Sequence, residues 1–291
     1  MTGTVLITGA AGQLGYELQQ CVPDGVHVVA LARDALDVTD AGSVERAVSA
    51  AEPQVIINAA AYTAVDRAES DGAGATAVNV AGARHLAEAA RRHGARVLHV
   101  STDFVFGTGT GRPWRPDDGT DPLSVYGRTK RDGESALLDV LGDRALVVRT
   151  AWLYSVHGAN FVKTMLRLMR ERDEVRVVSD QVGTPTWAKT LAGVLWTAVA
   201  EPRVGGILHW TDSGAASWYD FAVAIEEEGA SSGLLHRRTR VTPIRAVEYP
   251  TPAQRPSYAV LDTTETTRLL AVTPQHWRIS LRRMLEELPG A

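Results

Sequence analysis

Apolar positions along the first half of the chain fall into short β-branched runs separated by longer stretches with helical spacing. The runs predict strands over residues 5–8, 26–31, 55–58, 97–100 and 146–149, and the stretches between them predict helices over 13–21, 44–51, 76–92 and 126–138. Each predicted strand is apolar on both faces, as a strand covered by helices on both sides must be. Such an alternation folds as a doubly wound, parallel α/β sheet whose ligands sit beyond the carboxyl ends of the strands. Chemistry is therefore expected just after each strand.

Beyond Arg149 the alternation weakens. Helical spacing returns over residues 161–171, 187–200, 218–228 and 279–288, between long loops rich in Gly, Pro and Thr. This half reads as a smaller mixed α/β lobe for a substrate. The expected division is 1–150 for a dinucleotide-binding domain and 151–291 mainly for the substrate. No linker separates them, and segments such as 207–211 are free to return to the first sheet.

Three glycines, Gly9, Gly12 and Gly15, stand between the first strand and the first helix in G-x-x-G-x-x-G spacing. A tight turn, a close backbone approach to a pyrophosphate and tight packing of helix on sheet all demand residues without a Cβ, and the helix N-terminus offers its N–H groups to the anion. After the second strand the chain reads Ala30-Leu31-Ala32-Arg33-Asp34, so the carboxylate that usually accepts from an NAD ribose is preceded by a cation. Arg33 favours the 2′-phosphate of NADPH; the competing reading is a solvated loop arginine, with Asp34 turning to the ribose of NADH. Asp37, with Val38 beside it, suits the adenine edge.

Tyr126 and Lys130, at i and i+4, share one helix face, where an ammonium can stabilise a phenolate and bring tyrosine toward working pH. Tyr-x-x-x-Lys is common on surface helices, but Lys130, Lys163 and Lys189 are the only lysines of an arginine-based chain. An ammonium fits a compact site that a guanidinium does not.

Composition narrows the field. With 291 residues, 45% apolar and 22% charged, the chain resembles ordinary globular proteins rather than disordered or fibrous ones. A net charge of −4 has the wrong sign for neutralising nucleic-acid phosphates. The single cysteine, Cys21, excludes an intrachain disulfide and a cysteine-based zinc cluster. No apolar run reaches the roughly 18 residues of a membrane span, and no signal-like segment opens the chain, so a cytoplasmic protein without membrane or nucleic-acid partners is expected.

These features, with six further motifs in order, resemble the dTDP-4-dehydrorhamnose reductase family of the extended short-chain dehydrogenase/reductase superfamily. The motifs are residues 58–69 (Asn-Ala-Ala-Ala-Tyr-Thr-Ala-Val-Asp-Arg-Ala-Glu), 101–106 (Ser-Thr-Asp-Phe-Val-Phe), 149–154 (Arg-Thr-Ala-Trp-Leu-Tyr), 160–165 (Asn-Phe-Val-Lys-Thr-Met), 180–186 (Asp-Gln-Val-Gly-Thr-Pro-Thr) and 255–262 (Arg-Pro-Ser-Tyr-Ala-Val-Leu-Asp). The resemblance spans nearly the whole chain and implies a Rossmann-type fold and hydride transfer to the C4 ketone of a dTDP-linked 6-deoxy sugar. NADPH is the preferred cofactor, with NADH possible. Tyr126 is implied as proton donor, Lys130 as the residue that holds the nicotinamide ribose and tunes Tyr126, and Thr102 as a hydrogen-bond partner of the carbonyl oxygen. Gly9, Gly12, Gln13 and Leu14 are implied at the pyrophosphate, and Ala59, Ala60 and Ala61 along the cofactor. Thr63, Val65, Asp103, Trp152 and Asn160 are implied on the sugar side, with Gln181 and Arg255 at the nucleotide diphosphate. Competing structural roles are core packing for Trp152, a helix cap for Asn160 and a loop salt bridge for Arg255. Asp66 reads mainly as an N-cap.

Some family members hold magnesium at a dimer contact through acidic residues, one of them on the first helix, where Glu17 stands. Residues 184–200 offer no carboxylate and add Lys189, which argues against the metal and a dimer built on it. A monomer or a homodimer is expected, with no metal site. Two other functions share much of this pattern. A sugar-nucleotide epimerase or dehydratase has the same glycine turn and Tyr/Lys pair, but Phe104 stands where a dehydratase places its second carboxylate. A non-catalytic NADP-binding regulatory subunit has no need of Thr102, Tyr126 and Lys130 together.

Overall fold

The chain begins with β1 (Gly3–Thr8), α1 (Gln13–Gln20), β2 (Val26–Leu31), α2 (Ala41–Ala51) and β3 (Val55–Asn58). Two short helices follow, α3 (Val65–Ala68) and α4 (Gly72–Thr76), and a π-helical turn at Ala77–Ala81 leads into α5 (Gly82–Arg92). Then come β4 (Arg96–Thr102), α6 (Val125–Leu141) and β5 (Ala145–Thr150). The second half comprises β6 (Leu153–Tyr154), α7 (Phe161–Glu171), β7 (Glu174–Val178), β8 (Val182–Gly183), β9 (Thr186–Trp187) and α8 (Ala188–Ala200). It ends with β10 (Gly206–His209), β11 (Ala216–Ser217), α9 (Trp218–Ser231), β12 (Arg240–Ile244), α10 (Thr264–Leu270) and α11 (Trp277–Glu286). The computed structural model describes residues 3–109 and 111–289.

Six strands form one parallel sheet in the order β10-β5-β4-β3-β1-β2. This is the doubly wound, Rossmann-type α/β sheet the strand pattern calls for. Its order reverses between β1 and β3, and there the loops leaving the carboxyl ends part to opposite faces and open a crevice. The half beginning with β2 has one strand fewer than the 3-2-1-4-5-6 arrangement. Residues after β2 instead fold into turns, with Leu36 N donating to Ala32 O at 2.9 Å and Thr39 N to Asp37 Oδ1 at 2.9 Å.

The two-faced apolar strands divide their side chains between two cores. Val5, Ile7, Ile57, Leu98 and Val148 pack with α1 and α8, whereas Leu6, Ile56, Val97 and Val147 pack with residues of α2, α5 and α6. A third cluster, built from α7, α9, α11, β7 and neighbouring loops, contains Met165, Phe221, Trp277 and Met284. Residues 151–291 serve both sides. The helix expected over 187–200 packs on α1, with Trp196 Nε1 donating to Leu18 O at 3.1 Å. It starts at Ala188, because Trp187 pairs in β9 with Tyr154 of β6. Of the segment 207–211, residues 207–209 do enter the main sheet, in β10 beside β5.

At positions 9 and 15, either side of the turn after β1, there is no room for a Cβ. Gly9 has φ +69°, and a Cβ on Gly15 would stand 2.3 Å from Gly9 O. Packing this tight draws the start of α1 over the end of β1.

Near the other edge of the sheet, Arg149 of β5 and Glu134 of α6 form an ion pair at 2.7 Å, with side chains 3% and 2% exposed. The guanidinium also lies over the Phe106 ring, 5.1 Å from its centroid, and Phe106 stacks on Trp114. The pair thus pins the loop between β4 and α6. Arg149→Met should lower stability by about 3–5 kcal/mol, because it strands a buried carboxylate, while Arg149→Met with Glu134→Leu should recover most of the loss. Urea unfolding midpoints check this; equal losses for the single and double variants would contradict it.

Candidate active site

The crevice at the β1/β3 reversal is a cleft of about 400 Å³ whose lining includes Gly9, Gly12, Arg33, Asp37, Val38, Ala59, Ala60 and Ala61. Eight residues expected from the sequence to lie along a cofactor therefore share one groove. Gly12 occupies the N-cap position of α1 without a side-chain hydrogen bond, so the first N–H groups of the helix, at Gln13 and Leu14, have no intrahelical or capping partner. Leu14 contributes only backbone here, since its side chain is buried in the core. Gln13 directs Oε1 to Asn160 Nδ2 at 3.0 Å.

Arg33 is exposed and lines the groove, as does Arg67 on α3, which sequence reasoning does not single out. Two cations and an open helix N-terminus suit a ligand rich in phosphate. Asp34 is exposed and outside the lining. Asp37 receives the Thr39 backbone N–H and hydroxyl, and these bonds hold its carboxyl below the usual range. Tyr62 and Thr63 continue the groove from the β3 side, and Val65 packs with Tyr62 and Tyr126. The residues present fit a dinucleotide.

Thr102 ends β4 and Tyr126 opens α6, one residue after its start. Ser124 caps that helix by accepting from Gly127 N at 3.1 Å. A Cβ on Gly127 would lie 2.1 Å from Phe104 O, so α6 approaches the turn after β4 as closely as backbones allow. That approach puts Thr102, Asp103, Tyr126 and Lys130 together in a dry site: their exposures are 6%, 2%, 9% and 2%. Burial disfavours charge on each of the three titratable groups. It pushes the Tyr126 phenol up to about 12, with the Thr102 hydroxyl pulling the other way. It pushes Asp103 up to about 7 and Lys130 down to about 8. Asp103 Oδ1 accepts from Thr102 Oγ1 at 3.0 Å, and its Oδ2 has no partner, an acceptor facing no protein donor.

Lys130 does not lower the Tyr126 phenol here. Its amine donates to Val100 O at 2.7 Å and lies 3.3 Å from His99 Nε2. The groups behind it, His99 and Asn58, are functional candidates that sequence reasoning misses; for His99 the one available signal is an imidazole within the run Val97-Leu98-His99-Val100. The π-helical turn centres on Asn79, whose Oδ1 accepts from Tyr62 N at 2.9 Å and whose Nδ2 donates to Thr129 Oγ1 at 3.0 Å, tying the cleft wall to α6.

The second-half residues divide. Asn160 caps α7, accepting from Lys163 N at 3.1 Å, and also reaches Gln13, so the cap and the groove contact coexist. Trp152 stacks on Trp218 at 3.6 Å. Gln181 is half-buried just before β8. Arg255 is held by Asp66, with Nη2 2.8 Å from Oδ2. The expected N-cap role of Asp66 does not form: Ala64 takes that position and Asp66 lies in the first turn of α3, turned to Arg255.

The surroundings of Glu17 do not fit magnesium. Glu17 is 1% exposed, accepts from Ser155 Oγ at 2.5 Å, and is pushed up by burial, while Lys189 donates to Glu287 at 2.6 Å beside it. Among the described residues, no group of three or more His, Cys, Asp or Glu is placed to hold a metal.

The family model for the RmlD substrate binding domain matches residues 3–289. This chain belongs to that family. Among its relatives, the dTDP-4-dehydrorhamnose reductase of Streptomyces griseus is 44% identical over 291 residues, covering 98% of this chain and 94% of that protein. The enzyme of the same name from Aggregatibacter actinomycetemcomitans is 42% identical, covering 96% and 97%. The crystal structure of dTDP-4-dehydrorhamnose reductase from Bacillus anthracis, in complex with NADP, superposes with a TM-score of 0.93 at 33% identity, covering 99% of this chain and all (100%) of that one.

Asp103 gives this site a pH signature. Its folded-state pKa near 7 lies above the unfolded value of about 3.9, so its burial costs stability that grows as pH rises from about 4 to 7 and then levels off. Asp103→Asn should therefore gain on wild type by roughly 1–3 kcal/mol more at pH 8 than at pH 5. Urea unfolding at the two pH values measures this, and a constant difference would count against it.

Proposed function

We propose that this chain is an NAD(P)H-dependent reductase of the C4 ketone of a dTDP-linked 4-keto-6-deoxy sugar, dTDP-4-dehydrorhamnose in the first instance. The observation that carries the reading is the meeting of Thr102 and Tyr126 at the carboxyl end of β4, beside a phosphate-suited cleft, in a chain whose relatives bear that enzyme's name. The bound nicotinamide supplies the hydride. Tyr126, its phenol held protonated by burial, gives the proton to the ketone oxygen, and Thr102 orients that oxygen. Asp103 Oδ2, buried and without a partner among the described residues, is the acceptor we assign to a sugar hydroxyl. Gly9, Gly12 and the N-terminus of α1 hold the pyrophosphate, with Ala59 to Ala61 along the opposite wall. Trp152, Asn160, Gln181 and Arg255 bring the substrate lobe to the sugar nucleotide, so that residues 1–150 bind the cofactor and 151–291 mainly the substrate. The enzyme acts in the cytoplasm, as a monomer or homodimer, without magnesium.

A dehydratase reading is less well supported. The Phe104 ring meets Tyr126 edge-on at 5.5 Å, and an apolar ring next to Asp103 supplies neither acid nor base for water elimination.

Tyr126→Phe should keep cofactor affinity while kcat for dTDP-4-dehydrorhamnose reduction drops by about 10²–10⁴-fold. Retention of activity within threefold would remove Tyr126 from the acid role. NADPH is the preferred cofactor, because Arg33 lies in the groove and Asp34 does not. Arg33→Ala should weaken NADPH by roughly 10- to 150-fold and leave NADH nearly unchanged. Titration of both cofactors decides it, and equal losses would show that Arg33 does not read the 2′-phosphate.

A further inference from the structure

Behind Lys130 a chain of polar side chains crosses three strands. Thr8 of β1 donates its hydroxyl to Asn58 Oδ1 at 2.7 Å, and the Ala60 N–H donates to the same oxygen at 3.1 Å. Both partners are donors, so the Asn58 amide is fixed with its oxygen toward them and its NH₂ toward His99 Nδ1, 2.9 Å away. An NH₂ group offers only protons, so Nδ1 must present its lone pair. His99 is 1% exposed, and burial beside Lys130 holds its imidazole neutral. A neutral ring has one proton, and it must then sit on Nε2, facing Lys130 Nζ at 3.3 Å.

An ammonium in that place meets an N–H, donor against donor. A neutral amine accepts the same N–H through its lone pair. We propose that Asn58 and His99 are positioning residues for Lys130: by fixing the imidazole tautomer they set an N–H against the amine and keep its last proton loosely held. The proposal rests on reading Lys130 as the partner of Tyr126. When Tyr126 has protonated the ketone oxygen, the proton on Lys130 is the one available to restore the phenol, and the lone pair it leaves takes up the Nε2–H hydrogen bond. The other ionisable groups around Lys130 do not replace this contact. Glu134, one turn along α6, favours the ammonium but is paired with Arg149 of β5; Tyr126 is kept neutral by burial, and Asp103, pushed up to about 7, is bonded to Thr102 at the end of β4.

The tautomer is read directly from ¹⁵N spectra of histidine-labelled enzyme, with His99 assigned as the signal absent from His99→Gln. Protonated Nε2 and bare Nδ1 are expected; a proton on Nδ1 overturns the proposal without any activity measurement. Asn58→Asp keeps acceptors for Thr8 and Ala60 but also accepts from Nδ1–H, so it should reverse the tautomer and move the alkaline limb of kcat upward by about one pH unit or more. An unmoved limb with a reversed tautomer overturns it as well. Lys130→Ala separates the two readings: if that variant keeps its activity, the role of Lys130 fails, and this proposal with it, even where the tautomer is as stated.

Discussion

Everything in the site hangs on how closely α1 lies over the end of β1. The Cβ of any side chain at position 15 would stand 2.3 Å from Gly9 O, and one at position 9 would stand 2.7 Å from Ala60 N. The two glycines therefore bring three things into one place: the end of β1, the loop after β3 and an uncapped helix N-terminus. Because the sheet order reverses between these strands, the place is also where the fold parts. The cleft is less a cavity left by imperfect packing than the consequence of two backbones packed too tightly for side chains.

A second constraint acts on α6. Its approach to Phe104 O shuts water out of the space around Thr102, Tyr126 and Lys130, and in that space each ionisable group moves toward its neutral form. A phenol near 12 stays protonated, which is the state the proposed acid role of Tyr126 requires. For Lys130 the same burial weakens its hold on its proton. The site is thus prepared less by opposing charges than by a shared lack of water, and the buried ion pair of Arg149 with Glu134 ties down the loop between β4 and α6 through Phe106.

Much of this was legible in the sequence because strands covered on both faces cannot hide: runs such as Val5-Leu6-Ile7 and Val55-Ile56-Ile57 have one reading. The glycine spacing was legible for the same reason, being a local pattern with a steric cause; the i, i+4 spacing put Tyr126 and Lys130 on one buried helix face, but the charge effect expected of it is absent, because the Lys130 amine turns to Val100 O and His99. Polar strand ends were not. Ser101 and Thr102 belong to β4 although their composition suggests a loop, since the ladder to β5 continues through Thr102 and Thr150. The interleaving of the second half was partly legible, because 207–211 looked like a strand, but nothing in the composition of residues 188–200 says that α8 covers α1 rather than its own neighbours. Asp66 misled for a plain reason: local capping rules cannot see a guanidinium 189 residues away in sequence. His99 was hidden because one polar residue in an apolar strand carries no period.

The second half is fastened to the first at the places where ligands would lie. Asn160 caps α7 and reaches Gln13, His157 Nε2 lies 3.0 Å from Ala11 O while its ring stacks on Tyr16, and Arg255 grips Asp66 on α3. These contacts bracket the cleft from both sides. Trp152 has φ +46°, a left-handed conformation costly for a bulky residue. Its ring lies flat on Trp218 and against Gly183, where a Cβ would come within 2.7 Å of it. A strained backbone, a glycine that makes room and an aromatic platform all act on one indole, which packs with Trp218 against the core of the second half. The strain sits two residues after β5, where the chain leaves the main sheet for the second half, and the close fit against Gly183 holds the indole at that junction much as the glycines hold the turn after β1.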